Sequence, residues 1–241
     1  MVGLIGLNLF IYDRISMSFG VDIQSRLPEL KTGYFNYIVL GELTLLLPLC
    51  LSQCFAQATR DALSDGTFTE LCLLPWRPSS IIFFLGLAPL MRQVVYFLVF
   101  LFIAVAFFKF EFNWNILGLQ FITIPAFASI GLFSAAFLIR YGRGMGLVNL
   151  LVSVAPVLAG AYFPVEVLPL AVRKISLFLS PFTALLELTR GVNSSWDPSN
   201  LNSCFISLGI WTFFGFPLAC LLASRSLHAA KKRGSFEVIP N

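Results

Sequence analysis

The sequence predicts an all-α membrane protein: a polytopic six-helix transmembrane bundle with a short helix on one side and short re-entrant helices between spans five and six. Three observations carry that prediction. Of 241 residues, 58% are hydrophobic and 12% charged, and the mean hydropathy is +0.85; a soluble domain carries about 25% charged residues. The apolar runs recur at about 18 to 25 residues, the length a helix needs to cross roughly 30 Å of hydrocarbon, whereas barrel strands are about ten residues long and alternate. Lys and Arg gather beyond the last run, in the order Arg225, Lys231, Lys232, Arg233.

The whole chain, 1–241, reads as a single transmembrane domain. The first span, 2–20, is interrupted by Asp13 and Arg14, so it is either a tilted span with a polar end or one that lacks some N-terminal sequence. The second, 33–57, is strongly apolar but contains Glu42 and Pro48. A polar segment, 60–78, separates it from the third, 80–108. A turn reading KFEFNWN leads to the fourth span, 116–139, which stops at Arg140; RYGRG then precedes the fifth, 145–163. Residues 164–190 are apolar but broken by Pro164, Pro169 and Pro181, too interrupted for one straight helix, and read as a re-entrant segment. The sixth span is 202–223. The basic tail places the C-terminus in the cytoplasm by the positive-inside tendency, and six spans place the N-terminus there too.

Several function classes fall away on composition. The five cysteines, Cys50, Cys54, Cys72, Cys204 and Cys220, lie mostly in apolar runs without CxxC spacing and read as small core residues. His228 is the single histidine, so a zinc or haem site built on imidazoles is nearly excluded, while that count leaves a thiolate cluster open. The net charge of +4 comes from scattered bases, apart from KKR at 231–233, which does not make a nucleic-acid surface. No G-x-x-x-x-G-K-[ST] phosphate loop occurs, so the chain is expected to bind no nucleotide itself and to be no enzyme. The glycines of GRGMG, 142–146, are read as helix packing.

The segment between spans two and three, SDGTFTELCLLPWRP at 64–78, is cytoplasmic in this topology. TFTE has the form of a capping box, in which Thr67 and Glu70 would exchange side-chain bonds with each other's backbone amides. Gly66 supplies a permissive turn, Asp65 suits the positive end of a helix dipole, and Pro75 stops the helix after about two turns. Phe68, Leu71, Cys72 and Leu74 form an apolar face, and Trp76 stands where an amphipathic ring meets headgroups. On pattern alone, an ordinary helix lying on the headgroups fits as well as a docking element.

Those residues resemble the coupling helix of type-2 ABC transporter permeases, with Gly66, Thr67, Glu70, Leu71 and Pro75 matching and Phe68 and Thr69 departing from the commoner wording. A second stretch, LAGAYFPVEVLPLAVRKISLFLSPFTALLELTRG at 158–191, resembles the same family's exit from span five, at Gly160, Phe163, Pro164, Pro169, Pro181, Thr183 and Arg190. The resemblance is to the membrane subunit of an ABC exporter, nearer the drug and lipid branch than the polysaccharide branch. It implies a separate ABC ATPase subunit in two copies, which binds ATP and Mg and grips the segment around Asp65. It further implies a second permease copy or close homologue, and residence in a plasma membrane such as the bacterial inner membrane. Export of a lipid-linked glycan is the alternative within transport. A membrane-embedded lipid transferase would need clustered carboxylates for a metal, and Asp61, Asp65 and Glu70 lack the repeated Asp-x-x-Asp spacing.

Small residues let helices approach closely in lipid, and Gly142 with Gly146, and Ala155 with Ala159, are each four apart. In the family, spans one and five face the other half, so this small-residue face is expected at or near a dimer seam, with packing inside the chain as the alternative. Glu42 and Arg92 are the charges deepest in apolar runs; each would cost about 2.5 to 3.5 kcal/mol or more facing lipid at the bilayer centre. Arg92 is expected to snorkel to the inner interface, and Glu42 either faces a pathway or makes a structural hydrogen bond.

Overall fold

The computed structural model describes residues 2–26, 34–73, 78–110, 113–141, 145–162, 180–194 and 201–233, and all regular structure among them is helical. In chain order the helices are α1 (Val2–Arg26), α2 (Tyr34–Ser64), α3 (Thr67–Leu73), α4 (Pro78–Phe108), α5 (Asn115–Tyr141), α6 (Met145–Ala159), α7 (Pro181–Ser194), α8 (Leu201–Ile210) and α9 (Phe216–Arg233). A π-helical turn, Trp211–Gly215, joins α8 to α9.

Four stretches among the described residues are long and apolar enough to cross a bilayer: Tyr34–Ser64, Ser80–Phe108, Asn115–Tyr141 and Ser203–Ala230. Their 27 to 31 residues rise roughly 40 to 46 Å, more than the hydrocarbon thickness, so their ends stand in the polar zone. Helix ends therefore overrun the apolar runs: α2 continues through QATRDALS because polar helix formers extend a helix once it leaves lipid. α6 does the opposite. Its 15 residues rise only about 22 Å, and the helix stops four residues before the apolar run does.

The stop is local chemistry. Gly160 has φ of +80°, the left-handed region that a Cβ disfavours. Its amide donates to Val157 O at 3.1 Å, and that of Ala161 donates to Pro156 O at 2.9 Å, the two bonds of a Schellman cap. Ser180 and Pro181 start α7 in the complementary way, with proline at the first helical position and Ser180 Oγ accepting from the Thr183 amide at 3.5 Å.

The described chain forms two compact units. The first comprises Met1–Leu47, Val94–Ile122 and Ala155–Ser207. Its core joins Leu9 of α1, Val39, Leu40, Leu43 and Leu46 of α2, Phe97, Phe100, Leu101 and Ala104 of α4, and Ile116 of α5. The α2 and α4 positions recur at three and four residues, each making one helical face. Pro48 has no N–H and cannot bond Thr44 O four residues back. Gln120 of α5 supplies a donor instead, its Nε2 lying 3.2 Å from Leu43 O and 3.4 Å from Thr44 O. A proline in a membrane helix is tolerated where a neighbouring side chain meets the freed carbonyl in this way.

The second unit comprises Pro48–Gln93, Thr123–Val154 and Leu208–Asn241. At its centre the ring of Phe55, 1% exposed, lies between two glycines. A Cβ added at Gly86 of α4 would come within 2.7 Å of the ring's Cε1, and one at Gly131 of α5 within 2.6 Å of its Cδ2. The aromatic ring occupies space that the missing side chains leave, so three helices close on one flat group. α9 turns small residues inward at Ala219, Ala223, Ser226 and Ala230, again at helical spacing. Of the cysteines, Cys54 here and Cys204 in the first unit are buried, while Cys50 and Cys220 are half-buried.

Large apolar side chains remain exposed along one stripe of α4: Phe84, Leu87, Met91, Val95, Leu98, Phe102 and Val105. In water such a face would be an association hazard; in a bilayer it is the natural lipid contact.

Candidate functional site

Two sets of residues stand out. The first surrounds α3. A two-residue turn, Asp65 and Gly66, separates it from α2, and Gly66 has φ of +73°, as its expected role as a permissive turn requires. Phe68 is fully buried, while Asp65, Gly66, Thr67 and Glu70 are exposed and Leu71 is half-buried. The helix is thus anchored by one ring and presents its polar residues outward. The reciprocal capping box is not formed. Thr67 Oγ1 donates instead to Ala62 O at 3.4 Å. With so short a turn, the last carbonyls of α2 lie beside Thr67 and compete for its hydroxyl. Pro75 and Trp76 lie outside the described residues.

The second set lies in the first unit, around the end of α6. The Gly160 carbonyl, freed by the Schellman cap, accepts from Arg190 Nη2 at 2.6 Å and from the Tyr37 hydroxyl at 3.2 Å. The Arg190 guanidinium stands 4.0 Å from the centre of the Tyr37 ring, which in turn stacks on Tyr34 at 6.4 Å. Arg190 is 3% exposed and has Glu187 Oε1 3.7 Å from Nη1. Burying a guanidinium requires such partners: an oriented carbonyl at a helix C-terminus, where the dipole is negative, and an aromatic face. One turn further, the Tyr34 hydroxyl donates to Tyr162 O at 3.1 Å.

Glu42 belongs to the same region. It is half-buried, and its Oε2 accepts from the Tyr162 hydroxyl at 3.3 Å. Tyr12 packs against the neighbouring Tyr37–Ile38 core, and Tyr12 and Tyr96 against the core that includes Leu43. Beside it, Gly41 lets backbones touch: a Cβ there would sit 2.6 Å from Ala161 O. Glu42 thus accepts a hydrogen bond from a tyrosine hydroxyl, a bond equally compatible with a structural and a pathway-facing role.

Of the family-signature positions, Gly160 and Arg190 come together in the first unit, Thr183 is fully buried on α7, and Pro181 opens that helix. Phe163, Pro164 and Pro169 lie outside the described residues, as does most of the re-entrant segment and Gly142. Ala155 and Ala159 are buried within this chain, at 7% and 0% exposed, so their part of the small-residue face serves packing inside the chain rather than an open seam. Gly146 is exposed. Arg92 lies in the second unit, exposed on α4 beside Met91.

Sequence reading passed over Tyr34, Tyr37, Tyr162, Gly41 and Gln120. One signal was available: the chain has six tyrosines, and five of them, Tyr12, Tyr34, Tyr37, Tyr96 and Tyr162, belong to the first unit.

No curated protein matches the chain in sequence. The family model for the ABC-2 type transporter matches residues 16–193, which takes in both α3 and the Gly160–Arg190 pairing. This integral membrane protein therefore belongs to the ABC-2 transporter family, as a permease whose kind works with an ATPase subunit.

Proposed function

We propose that the chain is the membrane-spanning permease subunit of an ATP-driven exporter, moving a hydrophobic or amphipathic molecule, drug-like or lipid-like, outward by alternating access. Hydrolysis is performed by a separate ATPase subunit, two copies of which serve two permease halves, and this chain performs no enzymatic step. Six spans, with both termini in the cytoplasm and a re-entrant segment before the last, complete the reading.

The observation that carries it is α3: a seven-residue helix set between two long spans, rooted by buried Phe68 and offering Asp65, Gly66, Thr67 and Glu70 outward, inside the region matched by the family. A short element fixed at both ends to spanning helices delivers displacement to them, because a packed interior shifts as a body rather than deforming. Leu71, and by resemblance Pro75, complete the contact.

The test is co-purification and transport with a cognate ABC ATPase subunit. Glu70→Ala or Gly66→Pro should leave the permease in the membrane but lower cargo export by about ten-fold while ATP hydrolysis continues; a loss of about 1.4 kcal/mol in coupling corresponds to that factor. Unchanged export in both variants would overturn the role given to α3.

A further inference from the structure

The first unit contains a carboxylate without a cation. Glu42 sits in a helix otherwise apolar around it, half-buried, and accepts from Tyr162 Oη at 3.3 Å. Among the described residues, no Lys, Arg or His lies within ion-pair distance of it. Arg190, a buried cation of the same unit, is engaged elsewhere, by Gly160 O at 2.6 Å and by the Tyr37 ring. Three tyrosines from separate segments belong to this part of the unit: Tyr162 after α6, which bonds Glu42, Tyr12 of α1 and Tyr96 of α4. Tyr12 and Tyr162 both pack against the Tyr37–Ile38 core, and Tyr12 and Tyr96 both border the larger core that includes Leu43. All three are half-exposed, so the group is not sealed by the chain itself.

A negative charge held inside hydrocarbon is expensive unless a positive group or a proton completes it. Aromatic faces attract cations, the Tyr162 hydroxyl holds the carboxyl group in place, and apolar residues beside it accept the rest of an amphipathic molecule. Inorganic cations fit this arrangement poorly: Ca and Mg call for six or more oxygen ligands, and no cluster of three or more His, Cys, Asp or Glu exists among the described residues. A large, weakly hydrated organic cation fits it well.

We propose that Glu42, with Tyr12, Tyr96 and Tyr162, forms a recognition site for the ammonium-type or other delocalised cationic group of an amphipathic molecule. This deepens the exporter reading by naming the class of cargo, and rests on it only in treating the bound cation as cargo. Glu42 supplies the counter-charge, Tyr162 orients it, and Tyr12 and Tyr96 supply aromatic surface in the same part of the unit.

The experiment uses the full chain in lipid nanodiscs, with tetraphenylphosphonium as probe and triphenylphosphine oxide as its uncharged counterpart. Wild-type protein should bind the cation at least ten-fold more tightly than the neutral compound. Glu42→Gln should abolish that preference, Glu42→Asp should keep part of it, and Tyr162→Phe should weaken cation binding a few-fold without affecting the neutral probe. Equal binding of the two probes by the wild type, which needs no variant, would overturn the proposal; so would an unchanged preference in Glu42→Gln. The exporter reading fails separately: vesicles holding permease and ATPase that move no tetraphenylphosphonium, despite Glu42-dependent binding, would remove the transport role and leave the site.

Discussion

Replacing Arg190 by alanine removes the contact that ties α7 to the end of α6. The charged hydrogen bond to Gly160 O is 2.6 Å long and fully enclosed, and bonds of that kind contribute about 1.5 to 3 kcal/mol. The stack on Tyr37, at 4.0 Å and desolvated, adds about 1 to 2 kcal/mol. Gly160 O retains the Tyr37 hydroxyl at 3.2 Å, which limits the loss. A net cost of about 3 kcal/mol follows, and for a chain of this size that lowers the melting temperature by roughly 6 to 12 °C. Lysine at the same position keeps the charge but loses the planar fork, so Arg190→Lys should recover about half. Thermal melting in detergent, followed by tryptophan fluorescence and by retention of the monodisperse peak, measures both. Arg190→Ala melting within about 1 °C of wild type would refute the view that this cap holds the first unit together.

Two further predictions concern the same unit. Gly41→Leu forces a side chain against Ala161 O, where even a Cβ would approach to 2.6 Å, and should cost about 1 to 3 kcal/mol, read as a lower melting temperature. Gln120→Leu leaves Thr44 O without the donor that Pro48 cannot supply; a cost of about 1 to 3 kcal/mol is expected, and faster amide exchange in α2 around Pro48 would localise it.

Much of the helical architecture was legible in residue order because lipid imposes a simple rule: every backbone group must be satisfied inside its own segment, so length and apolarity suffice to mark a span. The second, third and fourth runs fall on α2, α4 and α5 for that reason. Their ends were less legible. α2 outlasts its apolar run by polar residues such as Arg60 and Asp61, which favour helix as readily in water, whereas α6 stops short at Gly160 through backbone geometry that hydropathy does not register. The candidate sites divide in the same way. Gly66 and the start of α3 at Thr67 could be read locally, since a turn and a helix start are set by neighbours. The partnership of Arg190, Gly160 and Tyr37 spans more than 100 residues of chain, and only tertiary packing brings it about. The capping box failed because Thr67 Oγ1 had a second acceptor at Ala62 O, a competitor that the four-residue pattern does not contain.

Phe55 has a mechanical meaning. Its ring stands where Gly86 and Gly131 have no side chain, and Phe83 of α4 stacks on it at 5.9 Å, so the walls of three helices meet on one flat group. α3 follows α2 after a two-residue turn, so a load applied at α3 enters the helix that carries this ring and is handed on to its neighbours rather than absorbed. A methyl group at Gly86 would strike the ring, and one at Gly131 both the ring and the Leu51 carbonyl, forcing the helices apart where that load passes.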